Sequence, residues 1–448
     1  MLSLSIPWNW IIQFHFFCLD ILAEPVVGTL LGTVFLEMRT LIEGRTQNLS
    51  RSAPTDVIAP GIDERQMQNR EVPMPRRAVV VMLDQLSRRC LGCYGHEWID
   101  TPHLDRLAAR GVVFDQCFAS PMPESELRDA ALNLTERLRD QGTVVRWLHE
   151  MQESESDELD AATFAQLVSA AEEELIELSR DRESSWLLGL DCSGIGWPGL
   201  ATAQFVELYG DELEEEVPAE LVASREVEVM YAALLTQFDH LLGRLLTAIG
   251  RLFGESSPLI VILAAHGESV CEVEMLSPFA EHLAEQSAGS GGLRDELVHP
   301  PLLIASATSE SLGSRRQELV TPSDVLPTLG EWFGRADLVQ DVSSNDARSL
   351  GPLLRNETCD WRLAVVLQDD EGHAAVRTDD LFYVAANITE QLEAEGSGDR
   401  TQQDEAVGSL FLKPEDVWEV NDVADQRPEQ VAVLRTVLMD GLRSRQQR

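Results

Sequence analysis

Ala78-Val79-Val80-Val81-Met82-Leu83-Asp84-Gln85 is an unbroken apolar run that stops at two polar residues. A run of this length, rich in β-branched side chains, suits a strand buried on both faces of a parallel sheet. In such sheets ligands collect at the carboxyl ends of the strands, which singles out Asp84. Leu91-Gly92-Cys93-Tyr94-Gly95 follows as a turn, and then Thr101-Pro102-His103-Leu104-Asp105-Arg106-Leu107-Ala108-Ala109-Arg110-Gly111. That last stretch is punctuated as a helix: Thr101 as its cap, Pro102 in the first turn, Gly111 in a left-handed closing position.

Outward from this core the pattern alternates. Helical periodicity is predicted over 130–140, 161–179 and about 224–252, the last with apolar positions such as Leu234, Phe238, Leu241 and Leu245. Extended segments are predicted at 143–148, 185–190, 259–264 and 301–304. Helices alternating with apolar strands predict an α/β fold, a three-layer αβα sandwich with a mostly parallel central sheet. Beyond Gly334 the rhythm shortens to extended pieces at 363–367, 374–377 and 381–385, closed by a helix over 428–443. The expected organisation is an N-terminal extension and linker over 1–76, the α/β domain over 77–335, and a small C-terminal α+β subdomain over 336–448.

The formal net charge of −41, from 76 acids against 35 bases, repels phosphate backbones and anionic lipid surfaces. Nucleic acid is therefore excluded as an expected partner. The seven cysteines are scattered, and the lone pair Cys90-Leu-Gly-Cys93 lacks the second pair that a zinc site needs. Met1 to Phe17 is apolar, but the first basic residue is Arg39, so the basic n-region of an export signal is missing. Asp20 and Glu24 break the run before the ~20 residues of a membrane span. A cytoplasmic and an exported protein both remain open.

Val80-Val81-Met82-Leu83-Asp84-Gln85, the Leu91–Gly95 turn and the Thr101–Ala108 helix together resemble the opening of the sulfatase family, in the alkaline-phosphatase-like superfamily. Further pieces follow in the family's order: Gln237-Phe238-Asp239, Ala265-His266-Gly267-Glu268, Val298-His299-Pro300, and Thr321-Pro322-Ser323-Asp324. The resemblance runs from about residue 78 to 440 and implies the sulfatase fold.

The same resemblance implies a chemistry that the residues only partly supply. The family cleaves sulfate esters with a divalent cation, calcium or magnesium, held by several Asp side chains. Its nucleophile is a formylglycine made within a Cys/Ser-x-Pro/Ala-x-Arg motif, and lysines and histidines steady the sulfate. Carried over, Asp84 matches the first metal Asp, Gln85 stands at the second, Ala265 replaces a third, and His266 remains. Asp84, Gln85 and His266 form the expected remnant metal site, with weak divalent-cation binding or none. The nucleophile segment reads Ala119-Ser-Pro-Met-Pro-Glu-Ser-Glu-Leu-Arg128, where the motif does not occur and Pro123 falls near the nucleophile position. Cys117 and Ser120 are the remnant nucleophile candidates. Asp191-Cys192 stands where the family has Pro-His, and no lysine precedes Lys413. The expected function is that of a catalytically silent, sulfatase-like protein acting by binding a small anionic ester, a glycan or a protein. The alternative is an active metal-dependent hydrolase of sulfate or phosphate esters with a rearranged site, using Asp84, Gln85, His266 and His299 with Ser120 or Cys117.

Overall fold

The structure is a computed structural model; it describes residues 75–119, 125–150, 163–192, 201–210, 222–268, 293–306, 313–338, 346–369, 372–385, 388 and 408–446. The expected N-terminal extension lies outside these residues up to position 74. Both sheets described below fall within one compact unit, Pro73–Arg448.

The apolar run forms β1 (Arg77–Gln85). Its sheet also holds β2 (Val112–Phe114), β3 (Val144–His149), β4 (Trp186–Cys192), β5 (Leu259–His266), β6 (Leu302–Ala305) and β7 (Ser314–Arg316), in the order β3-β4-β1-β5-β6-β2-β7. All pairings are parallel except those of β6, which is antiparallel to both β5 and β2. Alternation along β1 explains why its run is continuous: successive side chains serve opposite cores. Val79, Val81 and Leu83 face the helices α1 (Pro102–Ala108), α3 (Thr163–Arg180) and α4 (Val222–Phe253). Ala78, Val80 and Met82 face α2 (Ser125–Asp140) and α5 (Val325–Trp332). The expected three-layer sandwich is therefore present.

A second sheet of β8 (Val365–Gln368), β9 (Ala374–Arg377), β10 (Leu381–Ala385) and β11 (Gly408–Leu412) is antiparallel, in the order β11-β10-β9-β8. One face buries Val376, Tyr383 and Leu410 against Leu434, Leu438 and Leu442 of α6 (Pro428–Gln446). The other buries Phe382, Val384 and Phe411 against Phe118, Leu293 and Leu319.

Two local expectations at α1 are corrected. The Thr101 side chain does not cap the helix. Its hydroxyl accepts the backbone N–H of Gly92 instead, at 3.1 Å. The cap comes from Asp239 on α4, whose carboxylate accepts the backbone N–H of His103 at 3.0 Å and of Leu104 at 2.8 Å. Gly111 is not left-handed either; a Cβ there would lie 2.6 Å from the Ile304 carbonyl, so the residue serves close approach to β6. The helix expected from residue 130 begins at Ser125, because Leu127 extends the apolar stripe of Ala131, Leu134 and Leu138.

Burial raises the Asp239 carboxyl to about 6, outweighing the two backbone donors that favour its charged form. An unfolded aspartate titrates lower, so the folded chain keeps this proton to higher pH. The stability linked to Asp239 is full below about pH 4 and falls as pH rises through about 6. In paired melts, the wild type should lose stability relative to Asp239→Asn between about pH 4 and 7. Parallel melting curves across that range would contradict the assignment.

Candidate ligand site at the carboxyl ends of the sheet

β4, β1 and β5 are adjacent and parallel, so their carboxyl ends bring Asp191, Asp84, Gln85 and His266 to one edge. Register then sorts them by face. Asp191 is the Cα partner of Met82, two residues before Asp84, so both carboxylates lie on the α2 side. Gln85 is the Cα partner of His266, and this pair belongs to the opposite face. His266 Nδ1 lies 3.0 Å from the Gly267 carbonyl.

The α2 face carries the group that the sequence reading passed over. Arg128, in the first turns of α2, sends Nη2 to Asp84 Oδ1 in a short hydrogen-bonded ion pair. Its Nε donates to Asp191 Oδ1 at 2.7 Å. The second Asp191 oxygen, Oδ2, meets His149 Nδ1 of β3 at 3.0 Å. Asp191 is only 6% exposed, so its charge is held almost wholly by these partners. Leu127 and Ala131 pack into the core on either side of Arg128 in the chain and set the guanidinium over the strand ends.

The remaining candidates are dispersed. Cys117 is fully buried in the core on the α2 side, and burial raises its thiol well above the usual range. Ser120 and Pro123 lie outside the described residues. His299 is buried; Nε2 donates to the Asp115 carbonyl at 2.8 Å, Nδ1 lies 3.3 Å from Asp295, and burial lowers its pKa to about 4. The ring is therefore held by the fold on both of its nitrogens. Cys90 and Cys93 lie beside α1 and are not joined in a disulfide. Among the described residues no group of three or more His, Cys, Asp and Glu side chains is placed to hold a metal ion, and no helix is long and apolar enough to cross a membrane.

This arrangement of sheets is shared with hydrolases of sulfate and phosphonate esters. The structure of BT4656 in complex with D-glucosamine-2-N,6-O-disulfate superposes with a TM-score of 0.61 at 14% identity, covering 83% of this chain and 98% of that one. BT1596, a 2-O glycosaminoglycan sulfatase, gives 0.58 at 15% identity over 83% and 92% of the two chains. The phosphonate monoester hydrolase of Agrobacterium radiobacter gives 0.58 at 16% identity over 83% and 96%. No family model matches the chain. In sequence, 48 residues are 46% identical to the steryl-sulfatase of Mus musculus, 11% of this chain and 8% of that protein's length. The chain has the fold of these sulfatases and of the phosphonate monoester hydrolase.

The thiols give a direct check on the site. Native protein treated with an aromatic disulfide reagent should be modified at the exposed Cys359 and spared at Cys117 until it is unfolded. Peptide mass spectrometry showing rapid native labelling of Cys117 would contradict its burial.

Proposed function

We propose that this sulfatase-fold chain works by binding, through the carboxyl edge of its large sheet, and does not turn over sulfate esters. The observation that carries the proposal is the ion pair between Arg128 and Asp84. Asp84 is the one carboxylate that the resemblance retains at the ends of β1 and β5, and it is committed to an internal guanidinium. Gln85 offers an amide oxygen, and Ala265 offers nothing to a cation. Hard cations want several oxygen ligands, commonly with more than one carboxylate, and the remnant set Asp84, Gln85 and His266 does not fit that demand.

The nucleophile segment supports the same reading. Pro123, near the nucleophile position, lies outside the described residues, and its segment holds no Cys/Ser-x-Pro/Ala-x-Arg motif. A proline cannot give the family's formylglycine, and Cys117 is fully buried with Pro121 where the motif has Arg. The ligand class is a small anionic ester or a glycan carrying one. Arg88, three residues beyond Gln85, supports an anion here. It has no carboxylate partner among the described residues, and its buried Nε has no acceptor. Its guanidinium stacks over the Tyr94 ring at 5.0 Å.

Purified protein should show no release of product from aryl sulfates or aryl phosphonates above that of the Asp84→Ala variant, with calcium or magnesium present. Titration with glucosamine disulfate should still give saturable heat, weakened at least ~10-fold by Arg88→Ala, the loss of one charge-assisted contact. Turnover that disappears in Asp84→Ala would overturn the proposal.

A further inference from the structure

We infer that Arg128 is a built-in cation, standing where a metal ion would have to stand to neutralise Asp84 and Asp191, and that it closes this edge to divalent metals. The inference rests on the reading just given, that Asp84 is not in use as a metal ligand, and adds the reason. An arginine fork usually closes on the two oxygens of one carboxylate. Here the fork is split: Nη2 takes an oxygen of Asp84 at the end of β1, and Nε takes an oxygen of Asp191 at the end of β4. One guanidinium thus ties two neighbouring strands of the sheet through two acids.

Parallel register leaves little choice in the matter. Asp84 and Asp191 lie on one face of adjacent strands, with side chains 12% and 7% exposed. Two poorly solvated carboxylates brought to the same edge are stabilised by a positive charge between them, and Arg128 is placed to supply it. A divalent ion or a guanidinium meets that need, and the two compete for the same charge. A metal binding Asp84 and Asp191 would compete with Arg128, which already supplies the counter-charge at Asp84 Oδ1 and Asp191 Oδ1. His149 Nδ1 meets the far oxygen of Asp191 at 3.0 Å, so both oxygens of that acid have a protein partner.

The test is thermal melting and calorimetry of the full chain with calcium, magnesium and manganese salts. Wild-type protein should give no stoichiometric heat and no shift in melting temperature at millimolar cation. Arg128→Ala should melt lower, by on the order of 5 °C, because two poorly solvated carboxylates lose their counter-charge. Millimolar manganese or calcium should restore part of that loss, and Arg128→Ala combined with Asp191→Ala should abolish the restoration. Arg128→Gln, closer in shape, serves the same comparison where the alanine variant does not fold. Stoichiometric cation binding by the wild type that is lost in Asp84→Ala would overturn the inference. So would an Arg128 variant whose melting ignores every cation. Ester turnover without any cation response would sink the proposed function and leave this inference standing. Cation binding by the wild type without turnover would do the reverse.

Discussion

The parallel pairing of β1 between β4 and β5 decides where the polar residues of this chain come to rest. β1 is buried from Arg77 to Leu83, so neither neighbour can slip without moving a whole row of side chains to the wrong core. With register fixed, the three strands end together. Asp84 and Asp191 then meet on one face as like charges in a poorly solvated setting. The sheet accepts this only because α2 lies over the same ends and supplies a guanidinium. Helix packing, strand register and electrostatics are therefore one problem here, and Arg128 is where they are solved.

A second ionic cluster holds the C-terminal sheet to that edge. Lys413, the only lysine in the chain, is buried with Nζ 2.9 Å from Glu419 and 3.9 Å from Asp295. Burial raises the Glu419 carboxyl to about 7 against the attraction of Lys413. Arg89 joins from the β1 side, paired with Glu296 at 2.7 Å and stacked over Trp418 at 4.3 Å. The turn after His266 is gripped by the same region, since Gly267 donates to the Leu297 carbonyl at 2.7 Å. A Cβ at Gly267 would lie 1.9 Å from the Glu296 carbonyl, so only glycine permits this approach. The residues that frame the candidate site are thus pinned from both sheets.

Periodicity made the long elements legible. The β1 run, the α4 stripe and the strand at 259–264 each bury enough apolar surface to declare themselves locally. β2 and β7, three residues each, carry no pattern of their own and exist because neighbours pair with them. The cap of α1 was misread for a related reason. Thr101 is a sound local candidate, but Asp239 arrives from 138 positions away along the chain to take the role. The candidate site was half legible. Asp84 was singled out by its place at a strand end, His266 by the resemblance alone, and Asp191 only as a departure from the family. Arg128 was read as part of a failed motif. Its meeting with Asp84, 44 residues earlier, depends on helix packing that no spacing rule records.

Diffraction from crystals grown with manganese tests the account most directly, because it looks at the atoms on which everything else turns. The account predicts guanidinium density bridging Asp84 and Asp191, with no anomalous peak between the two acids. An anomalous peak within ~2.6 Å of an Asp84 carboxylate oxygen, with Arg128 turned away, would contradict it.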